Sequence, residues 1–187
     1  MTASLAEPSD EILLQRMIAG DEQAFTLLYR RHQPGISRFA LHMSGSADIA
    51  EEVTQEVFLA LIRQPRQYAP ERGPLASYLY GIARKQVLRR LAGSRLQATP
   101  RDGEEPTVAW GVEDDFSRRQ QIERVRRAIL ALPPRYREVV VLVELNEMSY
   151  QEAAEVAGCT IGTVRSRLSR AKSLLESKLI NVEKCST

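Results

Sequence analysis

Cysteine is almost missing from this chain of 187 residues. Cys159 and Cys185 lie 26 positions apart, and neither belongs to a CxxC pair or has a histidine at metal-ligand spacing. That excludes a disulfide framework and a structural zinc site, and leaves two free thiols in a reducing compartment. Histidine is as scarce. His32 and His42 have no acidic or thiol partner recurring around them at helical spacing, so no metal and no cofactor is expected. The chain also lacks a Gly-rich phosphate loop and a nucleophile with a matching base, which argues against an enzyme. No apolar run approaches the roughly 18 residues of a membrane span. The N-terminus, MTASLAEPSDE, is polar and acidic rather than basic and then apolar, so a cytoplasmic protein is expected. Strand-like alternation is nearly absent too, which leaves an all-helical fold.

What is present is a globular composition, 43% hydrophobic and 27% charged, with a net charge of +2 that hides an uneven distribution. Residues 1–95 carry 12 Lys and Arg against 10 Asp and Glu, residues 96–117 carry 1 against 6, and residues 118–187 carry 13 against 8. Two basic ends flank an acidic middle. A polyanionic partner would feel that pattern rather than the total.

The pattern predicts two small helical domains joined by a flexible acidic linker: residues 1–95, the tether 96–117, and residues 118–187. In the first half Asp10 caps a helix to about Ala19, and Asp21 caps a second that bends near Pro34 and Gly35. A third, capped by Ser46, ends near Gln64. The three prolines and one glycine of QPRQYAPERGP form a loop carrying Arg66 and Arg72, and helix resumes at Leu75. Residues 96–117 lose periodicity and gather Pro, Gly and acid, with Trp110 and Phe116 as possible docking points. Beyond them Ile122, Val125, Ile129 and Leu132 space an amphipathic helix that Pro133 and Pro134 stop.

The most informative stretch is SYQEAAEVAGCTIGTVRSRLSRAKSLL, from Ser149 to Leu175. Ser149 and Glu152 form a capping box, Ala153, Ala154 and Ala157 permit close helix approach, Gly158 suits a tight turn, and Thr160 caps the next helix. In that helix Ile161, Val164, Leu168, Ala171 and Leu175 share one stripe. Thr163, Ser166, Ser169 and Arg170 point the other way, with Arg165 and Arg167 on the flanks. A small, hydroxylated, cationic face on the second helix of a helix-turn-helix suits the major groove of DNA.

Two further segments carry charge of one sign. PLASYLYGIARKQVLRRLAGSR holds Arg84, Lys85, Arg89, Arg90 and Arg95, no acid, and Tyr78 and Tyr80. Aromatics among cations suit unpaired bases, and a structural helix with core tyrosines has the same composition. In SADIAEEVTQEVFLALIR the apolar Ile49, Val53, Val57 and Leu61 recur every four residues, while Asp48, Glu51, Glu52, Gln55 and Glu56 crowd the other side. That stripe repels nucleic acid and is either solvated or a protein-docking surface.

ADIAEEVTQEVFLALIR, ASYLYGIARKQVLRRL and LPPRYREVVVLVELNEMSYQEAAEVAGCTIGTVRSRLSRAKSLL, in this order, resemble the extracytoplasmic-function (ECF, group IV) sigma factors of bacterial RNA polymerase. The likeness runs from about Asp10 to Leu179. It implies a region-two helical bundle whose acidic helix binds the β′ clamp helices of core RNA polymerase. It implies also that Arg66, Arg72, Tyr78, Tyr80, Arg84 and Lys85 engage and melt the downstream promoter element. The second half would be a region-four domain on the β flap, with Arg165, Ser166, Ser169 and Arg170 on the upstream element. An anti-sigma factor and a response to envelope or environmental stress are implied as well. Many relatives have tryptophan at Tyr78, asparagine at Lys85 and a larger side chain at Ser169, so promoter preference does not carry over. Apart from the resemblance, a dimeric helix-turn-helix regulator binding operators without polymerase remains open.

Overall fold

The computed structural model describes residues 8–97 and 116–184, and among them all regular structure is helical. Helices α1 (Asp10–Ile18), α2 (Glu22–Ser44) and α3 (Ala47–Arg63) are followed by two 3-10 turns, Pro65–Gln67 and Pro70–Arg72, and by α4 (Leu75–Gln97). After the acidic stretch come α5 (Phe116–Leu130), α6 (Pro134–Val140) running into a π turn (Val141–Leu145), α7 (Tyr150–Ala157) and α8 (Ile161–Lys184). Most of the tether expected at 96–117, with Trp110, lies outside the described residues, as does Cys185; α4 and α5 reach into its two ends. No helix among the described residues is long and apolar enough to cross a membrane.

Helix starts follow local capping chemistry. Ser9, not Asp10, caps α1, its hydroxyl accepting from the Ile12 N–H at 3.4 Å. Asp10 is thereby free to accept from Arg31 at 2.6 Å and His32 at 2.8 Å, tying α1 to α2. Burial works against the charged Asp10, yet the hydrogen bonds from His32 and Arg31 prevail and hold its pKa below the usual carboxylate value. Asp21 caps α2 through the Gln23 and Ala24 N–H groups, at 2.9 and 3.2 Å. As expected, the second helix runs on past Pro34: α2 extends from Glu22 to Ser44 as one helix, held along its length by buried Ala24, Leu28, Ile36, Phe39 and Met43. Gly45, at φ 78°, ends it, and Ser46 caps α3.

Helices α2, α3 and α4 bury Phe39, Val53, Val57, Leu61, Leu79 and Val87 between them. In the second half Ile129, Leu132, Val139, Leu142, Ala153, Val164, Leu168 and Ala171 form the counterpart. The expected stripes are only partly buried: Ile122 is 62% exposed and Val125 44%, so α5 buries its C-terminal Ile129 rather than its middle, and Ile161, on the first turn of α8, is 40% exposed.

The two helical domains pack against one another and share a continuous apolar core. Specific polar pairs also cross the seam. Tyr80 donates its hydroxyl to Asn146 Oδ1 at 3.1 Å, Arg38 donates to the same oxygen at 3.3 Å, and Asn146 Nδ2 donates to the Val141 carbonyl at 2.8 Å. Arg84 pairs with Glu138, Arg137 donates to the Met43 carbonyl at 2.6 Å, and Arg126 reaches the Gly45 carbonyl at 3.4 Å.

A Cβ on Gly35 would collide with the Tyr80 hydroxyl. Gly35→Ala should therefore destabilise the protein by about 1–3 kcal/mol in urea unfolding, and Tyr80→Phe in that background should restore part of the loss. Stability of Gly35→Ala equal to the wild type would contradict the close approach of α2 and α4. His42 is half-buried, its Nδ1 enclosed without a hydrogen-bond partner among the described residues, and burial, then Arg126 and Arg38, lower its pKa. The unfolded chain therefore takes up that proton first, so stability should decline as pH falls through about 6.5 and level off below the folded value. His42→Gln should flatten the decline in urea midpoint between about pH 7.5 and 5.5.

Candidate nucleic-acid interface

The helix-turn-helix forms as its sequence dictates. The Ser149 hydroxyl accepts from the Glu152 N–H at 3.2 Å while the Glu152 carboxylate accepts from the Ser149 N–H at 2.9 Å, a closed capping box. Gly158 takes the left-handed conformation, φ 63°, that the turn requires. Thr160 then caps α8 by accepting from the Thr163 N–H at 3.2 Å, with the two threonine hydroxyls 2.9 Å apart. Val164, Leu168 and Ala171 are buried, which fixes the rotation of α8 and turns Arg165, Ser166, Ser169 and Arg170 to solvent. Thr163 and Arg167 are half-buried at the edges of that face.

Among the described residues no carboxylate pairs with Arg165, Arg167 or Arg170. Arg165 lies over the Tyr150 ring, 5.7 Å from its centroid, and Arg167 approaches Cys159 Sγ at 3.9 Å. Thr163, Ser166, Arg167 and Arg170 form one wall of an open groove of about 440 Å³ whose other wall is Arg135 and Tyr136, from the first turn of α6. Arg135 stacks on the Tyr136 ring at 4.7 Å and donates to its hydroxyl at 3.1 Å. Sequence reasoning overlooked this second wall, because only the packing of α6 on α8 brings it beside the recognition helix.

A second cluster lies at the start of α4. Tyr68 is buried in the loop and donates its hydroxyl to the Gly73 carbonyl at 3.1 Å, so the segment from Pro65 to Gly73 is pinned rather than loose. Its ring stands 5.7 Å from that of Tyr78. Around them Tyr68, Arg72, Gly73, Ser77 and Tyr78 line a cavity of about 160 Å³, which Glu155 and Val156 of α7 complete from the other domain. Burial raises the pKa of the Tyr78 hydroxyl and pushes that of Tyr80 up to about 12, so both are neutral donors at ordinary pH. Arg66, Arg72 and Lys85 are exposed. Tyr80 and Arg84 are turned away from them: Tyr80 is only 7% exposed, and both side chains are engaged by the second domain.

The acidic helix α3 is split along its length. Glu56 accepts from Arg90 at 2.8 Å and lies 3.6 Å from Arg89, and Glu52 accepts from Arg90 at 3.2 Å, so the inner edge is neutralised by α4. Asp48, Glu51 and Gln55 remain on the outer edge, Gln55 donating to Glu51 at 3.3 Å. Leu59 and Ile62, 44% and 50% exposed, follow on the same helix and give it an acidic and then apolar surface. Among the described residues no group of three His, Cys, Asp or Glu side chains could hold a metal.

Comparison with known proteins places these features in a family. Residues 28–96 match sigma-70 region 2 and residues 122–175 match sigma-70 region 4. The ECF RNA polymerase sigma-E factor of Escherichia coli K12 is 32% identical over 184 residues, covering 91% of this chain and 94% of the relative. The ECF RNA polymerase sigma factor SigE of Mycolicibacterium smegmatis is 31% identical over 182 residues, covering 92% of this chain and 70% of that one. Among solved structures, CnrH in complex with the cytosolic domain of CnrY superposes with a TM-score of 0.72 at 25% identity, over 93% of this chain and 99% of that one. The sigma factor RpoE of Bartonella quintana, in complex with the anti-sigma factor NepR, shares the fold at a TM-score of 0.70 and 23% identity, over 83% of this chain and 96% of that one. With both sigma regions present in order on one chain, and with relatives above 30% identity along nearly all of it, this protein belongs to the ECF sigma factors of RNA polymerase.

Proposed function

We propose that the chain binds core RNA polymerase and directs it to promoters, catalysing no reaction itself. The observation that carries this reading is the cationic face of α8, which no carboxylate among the described residues pairs with, in one chain with an acidic, apolar-edged α3. Arg165, Ser166, Ser169 and Arg170 read the upstream element in the major groove, helped by Thr163 and Arg167. Arg135, from the facing wall, adds a phosphate contact. Arg66, Arg72, Tyr78 and Lys85, joined by Tyr80 and Arg84, take the downstream element as an unpaired strand. Tyr78 and Tyr68 offer stacking surfaces that offset the few kcal/mol lost on unstacking a base.

Asp48, Glu51 and Gln55, with Glu52 and Glu56 behind them, dock on the β′ clamp helices, where basic and apolar complementarity suits the face they form. The region-four domain sits on the β flap. Held by both contacts, the two DNA-binding domains act as linked sites, so binding of one raises the effective concentration of the other. The work is done in the cytoplasm, where polymerase and chromosome meet. CnrH is found in complex with the cytosolic domain of another protein, which supports control of this chain by an anti-sigma factor, as in a stress response.

Promoter-dependent transcripts should appear when the full chain is added to core polymerase and a library of bacterial promoters, and a library yielding none would contradict the proposal. Arg165→Ala or Arg170→Ala should weaken binding of the holoenzyme to the selected promoter about tenfold and reduce its salt slope. Glu51→Lys is the cleaner probe of polymerase docking, because Glu52 and Glu56 also hold Arg90. It should lower core affinity in a pull-down while leaving the unfolding midpoint unchanged.

A further inference from the structure

The cavity of about 160 Å³ at the start of α4 brings an unsatisfied hydroxyl, a carboxylate, a guanidinium and two aromatic rings to one place. Ser77, in its wall, is only 9% exposed, yet its hydroxyl has no hydrogen-bond partner among the described residues. Buried hydroxyls are ordinarily satisfied, so this one asks for a partner from outside the fold. Arg72 and Glu155 put opposite charges on the same wall, and no ion pair joins them or ties either to another described residue. The Glu155 carboxylate reaches the loop because residue 73 is glycine: at φ 131° a Cβ there would lie 2.9 Å from Oε2.

We infer that this cavity is a binding site for a free α-amino acid with a small alkyl side chain, of about the size of valine. Its ammonium donates to the Ser77 hydroxyl and the Glu155 carboxylate, its carboxylate accepts from the Arg72 guanidinium, and its alkyl group packs on the rings of Tyr68 and Tyr78. A ligand of one sign would leave either Arg72 or Glu155 facing a like charge, whereas a zwitterion meets both. An ammonium with several N–H donors serves a hydroxyl and a carboxylate together, which a quaternary nitrogen cannot do. The two rings stand 5.7 Å apart at 51°, an angled corner that takes a compact branched group. Volume sets the size: a cavity of roughly 150 Å³ holds benzene, so a molecule of valine's size fits here and one of tryptophan's does not. The inference does not rest on the proposed function. It draws on two of the same residues, so an amino acid and an unpaired strand exclude one another at Arg72 and Tyr78.

The test is a saturation-transfer NMR titration of the full chain with L-valine, with isobutylamine, which lacks the carboxylate, and with isobutyrate, which lacks the ammonium. L-valine should bind with a dissociation constant of about 1 mM or tighter, and the other two at least about tenfold more weakly. Glu155→Gln should weaken L-valine at least about tenfold without weakening isobutyrate, and Arg72→Gln should weaken it as much without weakening isobutylamine. That split separates loss of one contact from loss of the fold, which abolishes all three. No saturable binding of L-valine to the wild-type chain at about tenfold above that constant overturns the inference. Equal affinity for L-valine and either truncated analogue overturns it too, as does L-valine binding that neither variant weakens. Promoter-dependent transcription by the wild-type holoenzyme is a separate readout, so failure of L-valine to bind removes the amino-acid site and leaves the proposed function standing.

Discussion

The buried stripe of α8 is the constraint on which the rest depends. Val164, Leu168 and Ala171 pack against α6 and α7, and a helix anchored along one edge has no freedom to rotate. Its cationic side is therefore presented to solvent by default, at no further cost in ordering the backbone. The capping box at Ser149 and the left-handed Gly158 set the angle at which α8 leaves α7, and the α6 contact places Arg135 and Tyr136 across a groove from it. An interface for a polyanion is thus a by-product of core packing, with charge added on the side the core does not use.

The first domain uses its charge differently. Arg90 spends its guanidinium on Glu52 and Glu56, fastening α4 to α3, so part of the acidic stripe and part of the basic helix cancel internally. What survives on the outside is segregated: Asp48 and Glu51 beside exposed Leu59 and Ile62 on one face, Arg66, Arg72 and Lys85 around paired tyrosines on another. Two surfaces of opposite sign on one small domain can take two partners at once, a protein and a nucleic acid. That arrangement explains how a chain with a formal net charge of only +2 serves DNA.

Local chemistry was legible in the sequence, and long-range choice was not. The caps at Asp21, Ser46, Ser149 and Thr160, the Gly158 turn and the orientation of Arg165 and Arg170 follow from residues within a few positions of one another. The start of α1 was shifted by one residue because Ser9 and Asp10 both cap well, and Asp10 had a competing use on α2. Pro34 stands inside α2, and the core on either side of it keeps the helix continuous to Ser44, as its sequence spacing suggests. Tyr80 and Arg84 carry the composition of a nucleic-acid helix, but their partners, Asn146 and Glu138, stand 66 and 54 positions away, beyond the reach of any periodicity. Arg135 was missed for the same reason.

On the proposed reading, one chain reads duplex with its second domain and holds an unpaired strand with its first, as part of polymerase. Footprinting the holoenzyme on a promoter it selects tests this most directly, combining backbone protection with permanganate reactivity of unpaired thymines. A protected upstream duplex and reactive thymines at the downstream element should both appear, and both should depend on core polymerase. Protection of a palindrome by the chain alone, with no reactive thymines when polymerase is added, would contradict it.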